Sequence, residues 1–199
     1  MARTLEFFFD FISPFSYVAW HALPHHLDTA ESDIAYRPAF LGAVMQTTGN
    51  RPPATVPAKG AYMTRDIERC CQRYGIAYRM NPNFPMMNTR PVLRAACGLA
   101  DAPAEQVRFI DTIFHHVWAA SEPLKTDDLE QVAAVCEAAG LDGARMVALS
   151  ENEDAKARMK ANTDEAISRG AFGMPSFFVG EDLFFGHDRL DYAIEAMRA

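Results

Sequence analysis

Two serines three residues apart, Ser13 and Ser16, follow the run Phe7-Phe8-Phe9-Asp10-Phe11-Ile12 and enclose Pro14-Phe15. The apolar run reads as the end of a strand, and Ser13-Pro14 as the opening of a helix. A strand that turns tightly into a helix is a place where a Cys-x-x-Cys redox pair is held. Here Ser13-Pro14-Phe15-Ser16 stands in that place. Serine hydroxyls form no disulfide, so composition alone excludes dithiol chemistry at this turn. What remains is a hydroxyl among the backbone N–H groups of a helix N-terminus, a setting suited to an anion. Thiol chemistry at this turn requires a thiol brought in from outside.

The cysteines do not supply one. Cys70, Cys71, Cys97 and Cys136 form no Cys-x-x-Cys, and adjacent residues such as Cys70 and Cys71 seldom bridge, because a disulfide needs separated, facing Cβ atoms. All four sit in helical, Ala-rich surroundings, where free cysteine behaves as a small core residue. His21 and His25 are four apart, but Pro24 interrupts them and no Glu accompanies them, which argues against zinc. The pairs His25-His26 and His115-His116 read as surface or interface residues. Phosphate-loop, dinucleotide and serine-hydrolase glycine patterns are absent.

A formal charge of −7 without a Lys/Arg cluster argues against nucleic acid as a partner. No apolar stretch approaches the ~18 residues that would span a bilayer, so no membrane partner is expected. Glu6 and Asp10 break the apolar N-terminal run, and no small-residue cleavage site follows. The expected location is cytoplasmic.

The elements around the serine turn follow from periodicity. Leu5 to Phe9 reads as a buried strand, Phe15 to about Leu27 as a helix strained at Pro24, and Ile34 to Phe40 as a strand ended by Pro38. Pro14 suits a first helical turn because its missing N–H is unpaired there anyway. Strand–helix–strand at this spacing gives a parallel, right-handed unit. Gly49 to Pro57 carries three prolines and reads as a semi-rigid loop. Helices are predicted over 61–74, 90–100, 104–120, 127–139, 143–150 and 152–169, with Thr126-Asp127-Asp128 as a capping sequence and Gly140 and Gly170 as stops. Phe109, Ile110, Ile113, Phe114 and Val117 make the stripe of a buried helix face. The period returns to strand at Gly173–Val179, turns at Gly180-Glu181-Asp182, and continues as Leu183–Phe185 before a helix from Asp188 to Met197. So tight a hairpin is antiparallel.

The resulting order, βαβ, a long helical block, then ββα, is that of an α/β thioredoxin-like fold with a large all-helical insertion. Residues 1–58 and 171–199 would form the thioredoxin-like domain and 59–170 the helical insertion.

The chain resembles the DsbA-like branch that contains the 2-hydroxychromene-2-carboxylate isomerases and the kappa-class glutathione transferases. The likeness runs nearly end to end. It rests on Asp10-Phe11-Ile12-Ser13-Pro14-Phe15-Ser16, Gly49-Asn50-Arg51-Pro52-Pro53-Ala54 with Val56-Pro57-Ala58-Lys59-Gly60, Ala171-Phe172-Gly173-Met174-Pro175, and Phe185-Gly186-His187-Asp188-Arg189-Leu190. Phe84-Pro85-Met86-Met87-Asn88-Thr89 looks more like the isomerases.

By residue type alone, Ser13 is an N-cap, Pro175 a strand-start proline, Asn50 a turn residue, Lys59 a solvated cation and Asp188 a cap. The resemblance implies more. It puts the Ser13 hydroxyl opposite the sulfur of bound glutathione, Pro175 in a cis peptide facing the first helix, and the Met174 backbone against the cysteinyl unit. It implies that Asn50 and Lys59 contact glutathione, with Lys59 suited to its glycyl carboxylate. His187 and Asp188 would meet the γ-glutamyl end, Asp188 pairing with the amino group. Kappa-class members commonly carry Ser where this chain has His187, a departure from the pattern, although its backbone N–H serves in either case.

The activity so implied is glutathione-dependent isomerisation of 2-hydroxychromene-2-carboxylate in naphthalene-type aromatic degradation, by reversible addition of glutathione thiolate. The expected partners are glutathione, a small aromatic carboxylate and a second copy of the chain. A kappa-like transferase that consumes glutathione is the nearest rival, and a redox-inert peptide-binding protein is a rival of another class. For the second substrate, Phe15, Phe40 and Trp118 are candidate walls by aromatic character. Arg37, Arg90 and Arg94 are candidate carboxylate partners among which spacing does not choose.

Overall fold

The computed structural model describes residues 3–29 and 32–199. Strand β1 (Leu5–Phe9) leads into helix α1 (Pro14–His26), and strand β2 (Ile34–Pro38) returns beside β1 in parallel. Helix α2 (Leu41–Thr48), a 3₁₀ turn at Pro53–Thr55 and helix α3 (Pro57–Tyr74) follow. The helical block continues with α4 (Arg90–Gly98), α5 (Pro103–Trp118), α6 (Leu129–Ala138), α7 (Gly143–Glu151) and α8 (Glu153–Ser168). Strands β3 (Ser176–Val179) and β4 (Asp182–Phe185), a 3₁₀ turn at His187–Arg189 and helix α9 (Leu190–Arg198) close the chain. The sheet order is β2-β1-β3-β4, with β1–β3 and β3–β4 antiparallel. This is the expected mixed sheet, a DsbA-like thioredoxin fold with a helical insertion.

Local chemistry explains most boundaries. Proline occupies the first turn of α1, α3, α4 and α5. Asp128, Asp142 and Asn152 cap α6, α7 and α8 by accepting backbone N–H bonds from residues three further on. Gly75 ends α3 in the left-handed region, where a side chain is disfavoured. Pro24 stays inside α1 rather than ending it, and the helix runs on to His26. Helix α3 begins at Pro57, four residues before the expected Ala61, so Lys59 lies on its first turn.

Helix α2 was not predicted. Its N-cap, Phe40, offers no side-chain acceptor. The missing acceptor comes instead from Asp10, whose Oδ2 takes the Leu41 N–H at 2.9 Å. A tertiary contact therefore does what a local side chain does for α1, α6, α7 and α8.

Alternation along β1 divides the core. Phe7 and Phe9 point to one face, with Phe11, Tyr17, Phe114 and Phe177, while Phe8 and Phe178 point to the other, with Leu41, Val44, Ala166 and Met174. Phe7 stacks on Phe177 with centroids 4.8 Å apart, and the ring of Phe8 meets Phe178 edge-on at 5.4 Å. The predicted stripe on α5 is wholly buried. Packing crosses the sequence boundaries: Ala166 of α8 lies under the sheet with Phe8 and Phe178, and α5 joins β1 and α1 in one apolar cluster.

Candidate active site

Ser13 ends the turn after β1 in extended conformation (φ −86°, ψ 111°) and caps α1. It is buried, and its hydroxyl has two partners: Oγ accepts the Ser16 N–H at 3.1 Å and donates to the carbonyl oxygen of Met174 at 2.9 Å. The Met174–Pro175 peptide is cis. The Pro175 carbonyl in turn accepts the Gly186 N–H at 2.9 Å. Three segments distant in sequence thus meet where α1 starts.

Asn50 belongs to the same assembly. Its Nδ2 donates to the Phe172 carbonyl at 2.7 Å, which ties the end of α2 to the segment before Met174. His187 is half-buried, with its ring stacked on Phe15 (centroids 5.1 Å apart, planes 5° from parallel) and Nε2 3.1 Å from the Cys70 sulfur. Burial pushes the His187 pKa down. Asp188 is exposed and caps no helix among the described residues: the turn is led by Gly186, α9 begins at Leu190, and the Asp188 carboxylate pairs with Arg189 at 2.8 Å. Lys59 is exposed and makes no ion pair among the described residues.

Two residues of the opening motif carry more than the sequence reading gave them. Asp10 is fully buried and accepts the Ile12 N–H at 3.1 Å, the Leu41 N–H at 2.9 Å and the Thr89 hydroxyl at 2.7 Å. It joins the Ser13 turn to the starts of α2 and α4. Burial raises its pKa to about 6, outweighing the three donors that pull it down. A polar residue inside an apolar run was the signal, since buried carboxylates persist only where they are hydrogen-bonded. Ser16 is also fully buried, and its Oγ has no partner among the described residues.

The aromatic candidates separate. Phe15 and Phe40 are partly exposed, whereas Trp118 is completely buried, its indole N–H held by the Phe11 carbonyl at 2.8 Å. Trp118 is therefore a core residue. Its size favours burial, and its single donor is satisfied there. The arginines separate too. Arg37 pairs with Glu165 and has Glu6 nearby. The Arg90 guanidinium lies 5.5 Å from the Phe40 ring centroid. Phe40 and Arg90 adjoin Leu41 and Thr89, both held by Asp10, so this pair sits beside the Ser13 turn. Arg94 has a buried Nε with no partner among the described residues.

The cysteines are free. Cys71, Cys97 and Cys136 are buried, and burial pushes the Cys97 and Cys136 thiols up to about 12. Among the described residues, no group of three or more His, Cys, Asp or Glu could hold a metal ion, and no helix is long and apolar enough to cross a membrane. The arrangement amounts to a buried hydroxyl at a helix N-terminus facing an irregular backbone edge, with a half-buried histidine and an aromatic–arginine pair alongside.

Residues 4–198 match the DSBA-like thioredoxin domain family. The chain is 29% identical over 194 residues to a 2-hydroxychromene-2-carboxylate isomerase of Sphingobium xenophagum, covering 96% of each. It is 29% identical over 201 residues to glutathione S-transferase kappa 2 of Caenorhabditis elegans, covering 94% of this chain and 88% of that one. A solved structure of a 2-hydroxychromene-2-carboxylate isomerase superposes with a TM-score of 0.85 at 29% identity, over 98% of this chain and 94% of the other.

Proposed function

This chain belongs to the DSBA-like thioredoxin domain family, in the branch of the 2-hydroxychromene-2-carboxylate isomerases and kappa-class glutathione transferases, and from that premise we propose that it is a glutathione-dependent isomerase. The proposed reaction opens 2-hydroxychromene-2-carboxylate to trans-o-hydroxybenzylidenepyruvate, a step in naphthalene-type aromatic degradation. The observation that carries the reading is the buried Ser13 hydroxyl at the N-terminus of α1, against the Met174 carbonyl, where the turn holds no cysteine.

Bound glutathione would supply a nucleophilic thiol that adds reversibly to a conjugated carbon and is recovered unchanged. Ser13 and α1 favour the thiolate. A free thiol with a pKa of ~8.5 is only slightly ionised at neutral pH. A charge-assisted hydrogen bond is worth ~1.5–3 kcal/mol and a helix N-terminus ~0.3–1 kcal/mol, together roughly one to three pKa units. The hydroxyl has one proton, which it donates to Met174 O. It turns to the sulfur once another donor, such as the cysteinyl N–H of the ligand, takes its place on that carbonyl. A serine turn stores no electrons, which suits an isomerisation without net redox change.

The remaining assignments follow the same chemistry. Lys59 stands on the first turn of α3, where the helix dipole disfavours a cation, so its ammonium gains from the glycyl carboxylate. Asn50 keeps the Met174 segment in place. Asp188 exchanges Arg189 for the γ-glutamyl ammonium, and His187 lies beside it. Phe40 supports the aromatic ring of the substrate and Arg90 its carboxylate.

A spectrophotometric assay with 2-hydroxychromene-2-carboxylate, with and without trace glutathione and with free thiol quantified, tests the reading. Conversion that needs glutathione without consuming it is expected. Glutathione consumed by an electrophile, without ring opening, identifies a kappa-like transferase instead. Binding of unfolded peptides with no affinity for glutathione identifies a redox-inert binding protein.

A further inference from the structure

Cys70 stands apart from the other cysteines, being half-buried and 3.1 Å from a ring nitrogen of His187. The contact is made by Nε2. The opposite nitrogen, Nδ1, is engaged by no described residue and is not among the sealed, unpartnered atoms. Phe15, in the first turn of α1 two residues after the Ser13 cap, fixes the plane of the ring by stacking. The plane of the ring and the nitrogen that faces Cys70 are therefore set by Phe15 of α1 and Cys70 of α3 together.

Which nitrogen carries the proton follows from Cys70. A neutral imidazole has one N–H donor and one acceptor, and the partner of one nitrogen decides the other. The charged and titratable neighbours are Asp66, Arg69 and Arg73 on α3 and Asp188 on the His187 turn. Burial, with the carboxylates of Asp66 and Asp188, keeps the thiol protonated, and burial keeps the imidazole neutral. A thiol sulfur is a weak acceptor and a neutral imidazole nitrogen a strong one, so the favoured bond is S–H donated to Nε2.

We infer that Cys70 is a positioning residue that fixes His187 in the Nδ1–H form and so presents Nδ1–H as a hydrogen-bond donor to an acceptor oxygen of the bound ligand. The ligand part rests on the proposed glutathione site, where the γ-glutamyl carboxylate has the matching chemistry. The tautomer part rests only on the Cys70–His187–Phe15 geometry. The side chain, and not only the backbone N–H at this position, then contributes to recognition.

The experiment is ¹⁵N NMR of the imidazole nitrogens of the whole protein near neutral pH, for wild type, Cys70→Ala and Cys70→Ser, with glutathione affinity measured on the same samples. Expected are an Nδ1–H tautomer in wild type, a mixed population in Cys70→Ala, and recovery in Cys70→Ser, whose hydroxyl also donates. Glutathione affinity should fall about 3- to 10-fold in Cys70→Ala, as for one lost hydrogen bond, and return in Cys70→Ser. A wild-type Nε2–H tautomer, or one unchanged in Cys70→Ala, overturns the inference. If the tautomer behaves as expected but no sample binds glutathione, the proposed function fails and the positioning role stands.

Discussion

Ser13 and Met174, 161 residues apart in sequence, are joined by a 2.9 Å hydrogen bond from the serine hydroxyl to the methionine carbonyl oxygen. The same hydroxyl oxygen accepts the Ser16 N–H at 3.1 Å. Ser13 thus caps its helix with a lone pair while its proton remains exchangeable between a backbone carbonyl and a ligand. A side chain that only capped would have no such partner across the turn.

Removing the hydroxyl separates the two roles. Ser13→Ala should cost about 1 kcal/mol of stability through the lost cap and leave much of the glutathione affinity. The pKa of the bound thiol should rise by about 1–2 units and turnover should fall. Ultraviolet titration of the bound thiolate reads the pKa directly; equal values in both proteins would remove Ser13 from thiolate stabilisation.

Asp10 predicts a pH dependence of stability. Its pKa lies at about 6 in the folded chain against an ordinary 3.8, so the fold favours its protonated form. The stability it contributes is fully present below about pH 4 and is lost as pH rises through about 6, an effect of about 3 kcal/mol. Asn at this position does not titrate. The stability of wild type relative to Asp10→Asn should therefore fall by about 3 kcal/mol between about pH 4 and pH 7, read by urea unfolding. A flat difference, or one that rises with pH, contradicts the buried carboxylate.

Asp188 and Arg189 form an exposed pair, worth at most ~1 kcal/mol. Asp188→Asn should weaken glutathione binding more than it alters the thiol pKa, while Arg189→Gln should leave affinity equal or a few-fold tighter. Calorimetry decides, and an Asp188→Asn protein that binds as wild type does would take Asp188 out of the site.

Gly186 lies at φ 97° and ψ 150°, and a Cβ there would meet Asp188 Oδ1 at 2.5 Å. This backbone region is nearly closed to other residues, so Gly186→Ala should cost ~1–3 kcal/mol. It should also weaken glutathione binding, because the Gly186 N–H holds Pro175 and the new methyl displaces the Asp188 carboxylate. Thermal unfolding and calorimetry on one sample test both effects; a variant matching wild type in both would show the turn to be unstrained.

The sequence by itself determined what neighbours in the chain decide. Alternating and continuous apolar runs placed β1, β2 and the final hairpin, and the stripe from Phe109 to Val117 marked a buried face. Capping residues and first-turn prolines set most helix starts, since caps act over three or four residues. Ser13 at its helix start, and the lack of a cysteine pair there, were legible for the same reason. Only the tertiary structure decided the partners of those residues. Helix α2 has no cap of its own and depends on Asp10, 31 residues earlier. The buried carboxylate joins three segments, Cys70 meets His187 across 117 residues, and Trp118 goes wholly into the core. Each of these depends on which side chains the folded backbone brings within about 3 Å, the reach of a hydrogen bond. No local period or cap encodes a partner that far along the chain.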